Sequence, residues 1–167
     1  KYSAEAQPIV YQGVMYVVTG ADDVFAVDVE TGKKLWVHEA HLPEQIDTVC
    51  CGWTNRGVAL GEGRVYFGQL DGKVVALDQK NGQIAWTNQL ANFRQGTTIT
   101  SAPLYYNGRI YIGMSGGEYG IRGRSHHRGG GTGPAGGLGS RSGAGQLEDV
   151  AGRRWRRWGR RVRARGS

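Results

Sequence analysis

The chain has only two cysteines in 167 residues, and it lacks any run near the roughly 20 apolar residues of a helical membrane span. Two cysteines are too few to define a secreted disulfide scaffold by count. The sequence begins at Lys1, with no methionine and no charged-then-apolar signal segment. The expectation is therefore a removed leader or a start inside a longer gene. No segment has a helical period, and nothing matches a Ser-His-Asp set, a phosphate loop or a zinc-ligand spacing.

Charge is unevenly distributed. Residues 1–123 hold ten Lys/Arg and twelve Asp/Glu, whereas residues 124–167 hold eleven Arg, no Lys and two acids. The net charge of +7 thus comes from the tail alone, and it does not make the whole chain a nucleic-acid binder. The tail also has 12 glycines and few large apolar side chains. It lacks the burial needed to offset ordering entropy, so a disordered C-terminal tail is expected.

What is present is a repeat. Gly13-Val-Met-Tyr-Val-Val, Gly63-Arg-Val-Tyr-Phe-Gly and Gly108-Arg-Ile-Tyr-Ile-Gly each set a glycine turn before an apolar strand. Ala26-Val-Asp-Val-Glu-Thr-Gly-Lys-Lys-Leu-Trp36 recurs as Ala76-Leu-Asp-Gln-Lys-Asn-Gly-Gln-Ile-Ala-Trp86, 50 residues later. A period of that size denotes a propeller or a solenoid. Alternation at Val24, Ala26 and at Val74, Ala76 reads as strands. Asp28 to Gly32 and Asp78 to Gly82 read as hairpins, with the glycine at positive φ. Trp36 and Trp86 have the area to pack between neighbouring sheets. These positions are structural. The expected fold is all-β: about two four-stranded blades and part of a third, a partial propeller that cannot close a ring alone. Met15, Phe67 and the strand tyrosines are expected in the core, and His38 and His41 in a surface loop.

The distinctive local feature is Cys50-Cys51, within Asp47-Thr-Val-Cys-Cys-Gly-Trp-Thr-Asn-Arg-Gly57. Two readings stand. In a reducing compartment these are two neighbouring thiols. Joined, they would close a strained ring, because consecutive Cα atoms sit at about 3.8 Å and disulfides prefer about 4.4–6.8 Å.

Three segments, in order, resemble the quinoprotein alcohol dehydrogenases, which depend on pyrroloquinoline quinone. They are Glu5-Ala-Gln-Pro8, Cys50-Cys51 with Asn55-Arg56-Gly57, and Thr97-Thr-Ile-Thr-Ser-Ala-Pro103 followed by Met114-Ser-Gly-Gly-Glu-Tyr-Gly-Ile-Arg-Gly123. The resemblance covers about residues 1–123 and implies part of an eight-bladed propeller. It gives Cys50 and Cys51 the role of a vicinal disulfide lying on the quinone face, and Arg56 that of a cation at its polar edge. Glu5, Thr100, Ser115, Gly116 and Gly117 inherit cofactor contacts. Glu118 inherits the metal, Ca²⁺ or a lanthanide, for which a carboxylate is a suitable hard donor. The implied partners are a small-molecule alcohol and a cytochrome c, with no nucleic acid, and the implied location is the periplasm. The catalytic base and the remaining metal ligands would lie in later blades, so the chain alone is expected to be inactive. A non-catalytic propeller of the outer-membrane assembly type would account for the repeats equally well, but not for Cys50-Cys51, Arg56 and Ser115 to Glu118 together.

From residue 124 the sequence departs from that pattern. Abrupt Gly/Arg-rich text is what a GC-rich gene yields out of frame. Gly133 to Gly139 can be back-translated so that a shifted frame reads Thr-Gly-Arg-Arg-Pro-Trp, the spacing of Thr31 to Trp36. The expectation is a frameshifted or non-native tail over residues 124–167.

Overall fold

The computed structural model describes residues 2–46, 52–116 and 126–129. Its elements are strands and one 3-10 turn at Phe93–Gln95. Strand β1 (Tyr2–Gln7) precedes a first blade made of β2 (Ile9–Tyr11), β3 (Val14–Val18), β4 (Val24–Asp28) and β5 (Lys34–His38). Strand β6 (Trp53–Gly57) precedes a second blade of β7 (Ala59–Gly61), β8 (Arg64–Gly68), β9 (Lys73–Asp78) and β10 (Ile84–Gln89). The third sheet holds β11 (Leu104–Tyr106), β12 (Arg109–Ile112) and β13 (His126–Gly129). Within each blade the strands are antiparallel neighbours in chain order. This is a partial propeller, as the 50-residue period predicts. Strand β13 pairs with β12 just beyond residue 123, where the departure from the repeat was expected to begin. The residues after Gly129 lie outside those described.

Burial reports the stacking of blades. In β4, Val24 and Ala26 are buried while Phe25 and Val27 are only partly so. In β9, at the same repeat positions, Val74, Val75, Ala76 and Leu77 are all buried. A strand flanked by sheets on both faces loses the alternation that a half-covered strand keeps. One core cluster joins Tyr16, Val18, Val24 and Ala26 of the first blade to Val65, Phe67, Val75 and Leu77 of the second. Two others join the second blade to Ile110 and Ile112 of the third sheet. Each of the buried valine, leucine, isoleucine and phenylalanine side chains among them stabilises the stack by roughly 1.5–3 kcal/mol.

The hairpins fasten the blades. Asp28 Oδ1 accepts hydrogen bonds from the Thr31 amide at 2.8 Å and the Thr31 hydroxyl at 2.7 Å, and these hold its carboxyl below the usual range. The turn then closes on Gly32 at φ 67°, and its repeat on Gly82 at φ 72°. Trp36 reaches across to that second hairpin: its indole Nε1 donates to the Gln79 carbonyl at 3.2 Å, and its ring covers Gly82. Tyr16 supports the indole at a centroid distance of 6.0 Å, and Tyr66 supports Trp86 at the same distance.

Some expectations are corrected. Phe67 is fully buried, but Tyr11 and Tyr106 are exposed. Both end the short first strand of a blade, where the second blade has Gly61. His38 is not in a loop. It is the last residue of β5, with its ring edge-on to Phe67 at 5.8 Å, and burial lowers its pKa. His41 is exposed, 3.7 Å from Glu39.

Candidate cofactor-binding site

The strands that lead into successive blades meet side by side. β1 runs parallel to β6, with Ala4 opposite Asn55 and Gln7 opposite Gly57. On the other side of β6, the Arg56 amide donates to the Thr100 carbonyl at 3.1 Å. Counting from the glycine turns at 13, 63 and 108, residues Glu5, Asn55 and Thr100 hold one and the same repeat position. Three blades therefore bring the same short segment to one place, each with a different polar side chain.

The side chains there form a continuous polar line. Glu5 Oε2 lies 3.3 Å from Arg56 Nη2. Arg56 Nη1 donates to the Thr100 hydroxyl at 2.8 Å, and that hydroxyl is 2.7 Å from the Ser115 hydroxyl. An isolated bridge between Thr98 and Ser115 fixes the last member, with the Ser115 amide donating to the Thr98 carbonyl at 2.8 Å. The Arg56 side chain keeps half of its surface open to solvent. An exposed ion pair adds little stability, so the arrangement is better placed to receive a ligand than to hold the fold. Gly116 follows at φ 131°, and a Cβ there would collide with the Gly96 carbonyl; only glycine allows that approach.

Among the sequence candidates, Glu5, Arg56, Thr100, Ser115 and Gly116 are brought together. Cys50, Cys51, Gly117 and Glu118 lie outside the described residues. Among those described, no group of three His, Cys, Asp or Glu could hold a metal. The sequence reading missed Asp22 as a member of the framework behind this line. Asp22 is fully buried, with Oδ1 accepting from Asn55 Nδ2 at 2.7 Å and Oδ2 from the Leu70 amide at 2.7 Å. Its one signal is that the repeat puts glycine, Gly72, at the same turn position.

These residues suit a planar, anionic quinone. Arg56 offers a fork of donors matched to carboxylate and quinone oxygens. The Thr100 and Ser115 hydroxyls can donate, and the Gly116 backbone allows close approach. Thr54, on the strand face that also carries Arg56, has a buried hydroxyl with no hydrogen-bond partner among the described residues.

The fold and this site define a propeller of quinoprotein-type repeats. A family model described as outer membrane protein assembly factor BamB matches residues 2–127. The quinoprotein alcohol dehydrogenase PedH of Pseudomonas putida is 45% identical over 120 residues, which are 72% of this chain and 20% of that protein. The 1-butanol dehydrogenase (cytochrome c) of Thauera butanivorans is 45% identical over 121 residues, 71% of this chain and 18% of its own. The solved quinohemoprotein alcohol dehydrogenase of Comamonas testosteroni superposes with a TM-score of 0.72 at 36% identity, covering 77% of this chain and 19% of that one. The chain belongs to the quinoprotein alcohol dehydrogenase family within this repeat group, and it spans about a fifth of the length of the curated relatives it matches.

Proposed function

We propose that this segment builds one wall of the cofactor site of a periplasmic alcohol dehydrogenase dependent on pyrroloquinoline quinone, with electrons passing on to a cytochrome c. The observation that carries the reading is the line Glu5–Arg56–Thr100–Ser115, drawn from three successive repeats. When bound, the quinone supplies the two-electron oxidation of the alcohol to an aldehyde or ketone. Arg56 binds its polar edge. Thr100 and Ser115 orient it through their hydroxyls, and Gly116 and Gly117 let the backbone come close. Glu5 holds the guanidinium from the far side and so sets the direction in which it donates. Cys50 and Cys51, joined, present a rigid sulfur face to the ring, and Glu118 contributes a carboxylate to Ca²⁺ or a lanthanide. No residue in this chain is assigned as catalytic base, and the segment by itself is inactive.

The scaffold reading has one observation in its favour, the family model's description. Relatives with 45% identity that are dehydrogenases weigh against it. Reconstitution of the full-length protein carrying this segment with pyrroloquinoline quinone and Ca²⁺ decides between them. Dye-linked alcohol oxidation is expected. A folded protein that binds no quinone would refute the enzyme and leave the scaffold.

A further inference from the structure

We propose that Asp22 is a positioning residue for the cofactor-facing guanidinium of Arg56, acting through the side-chain amide of Asn55; this rests on the cofactor reading above. The turn Thr19-Gly-Ala-Asp22 repeats as Gln69-Leu-Asp-Gly72. Asp22 and Gly72 share the left-handed backbone, at φ 67° and 88°. A stack built for stability alone would keep glycine there, since glycine adopts that conformation without strain. The first blade instead has an acid, and it is fully buried. Burial is the first cause that pushes its carboxyl up to about 7, with Asp71 and Asp23 adding in the same direction. No cation forms an ion pair with it among the described residues.

That unfavourable placement has one structural result. Asp22 Oδ1 accepts from Asn55 Nδ2 at 2.7 Å, and this bond holds the Asn55 amide with Nδ2 toward the acid. Nδ2 also donates to the Gly68 carbonyl at 2.8 Å. The oxygen of the same amide is thereby left facing forward, where it accepts from the Gly57 amide at 3.1 Å. Asn55 and Gly57 flank Arg56, so the loop of bonds from Asp22 fixes the backbone on both sides of it. The Arg56 amide and guanidinium can then both address Thr100. Leu70, the other donor to Asp22, belongs to the equivalent turn of the second blade, which ties β6 to both blades at once.

The test uses Asp22→Gly, which suits the backbone and copies the repeat, and Asp22→Asn, which keeps the shape, in the full-length protein. Binding of pyrroloquinoline quinone is read by tryptophan quenching, and the Arg56 guanidinium by its side-chain nitrogen resonances without quinone. We expect Asp22→Gly to raise the quinone Kd about tenfold and to shift the Arg56 resonance, with Asp22→Asn between it and the parent. In an Arg56→Ala background the Asp22 substitutions should have no further effect on Kd, because a residue acting through Arg56 has nothing left to act on. A residue with only a structural role would weaken binding additively and leave the Arg56 signal in place. Should Asp22→Gly fail to fold, Asp22→Asn carries the same comparison. If both variants bind as the parent does and the Arg56 signal stays put, the inference is overturned while the cofactor reading stands. If the parent itself binds no quinone, the cofactor reading fails, and the inference falls with it.

Discussion

Gly32 and Gly82 offer a controlled measurement of how the blades are fastened. They hold the same repeat position, 50 residues apart, with nearly equal backbone angles, φ 67° and 72°. A Cβ on Gly32 would meet nothing within 4 Å, whereas a Cβ on Gly82 would sit 2.5 Å from Trp36 Cε3. Gly32→Ala therefore costs only the left-handed backbone, about 1–2 kcal/mol. Gly82→Ala costs that and must also displace the indole. Overfilling such a contact costs roughly 1–3 kcal/mol, and tilting the ring away endangers the 3.2 Å bond from Trp36 to Gln79, worth about 1 kcal/mol. The two alanine variants of the chain should thus differ by about 2–4 kcal/mol in urea unfolding followed by circular dichroism. In a Trp36→Ala background the difference should shrink toward zero. Equal costs for Gly32→Ala and Gly82→Ala with Trp36 present would show that the tryptophan does not clamp the second hairpin, and the account of blade docking would be wrong.

Other consequences are as direct. Thr100→Val removes the acceptor of Arg56 and the partner of Ser115 at a buried position, so it should destabilise the chain by about 1–3 kcal/mol in the same assay. Glu5→Gln breaks an ion pair that is open to solvent at both ends, and its unfolding midpoint should barely move. Arg56→Lys keeps the charge but loses the fork; quinone titration of the full-length protein should show at least about tenfold weaker binding. Asp22 makes the pH profile informative. Its folded pKa of about 7 lies above the ordinary 3.8, so between these values the folded state binds the extra proton. Stability must then fall as pH rises through that window, by at most about 4 kcal/mol at 1.36 kcal/mol per unit. Asp22→Asn removes that slope, so the parent should lose stability relative to the variant between pH 4 and pH 7. A constant difference in thermal midpoint across that range would refute the buried-acid description.

The blade framework was readable because each of its determinants is local and repeated. Asp28 to Gly32 closes a hairpin using bonds within five residues, and Trp36 needs only a glycine 46 positions on, which the period supplies. Exposure of Tyr11 and Tyr106 was not readable, because an alternating pattern does not say how far a neighbouring sheet covers the end of a short strand. His38 was misplaced for a related reason: its cover is Phe67, which belongs to the next blade. The Glu5–Arg56–Thr100–Ser115 line came from resemblance, since bonds that cross 51, 44 and 15 positions leave no trace in spacing. Asp22 was overlooked because an acid in a turn ordinarily faces water, and only tertiary placement reveals that this one does not.

The repeat also separates the two kinds of position by an internal criterion. Where the copies agree, as at Asp28 and Asp78, Gly32 and Gly82, or Trp36 and Trp86, each residue performs the same local task in each blade. One set of positions where they disagree brings its residues to one place: Glu5, Asn55 and Thr100 at one position, Ala6, Arg56 and Ser101 at the next. A ring of equivalent blades presents the same backbone around its axis, so chemistry can enter only through differences between copies. Arg56 has a small alanine and a serine as its counterparts, and its guanidinium reaches Glu5 on one side and Thr100 on the other. Asp22 belongs to the same set by this measure, being an acid where the other copy has Gly72. Substituting a residue that the copies share should lower stability alone, whereas substituting one of this unshared set should change ligand binding as well, whatever it costs in stability.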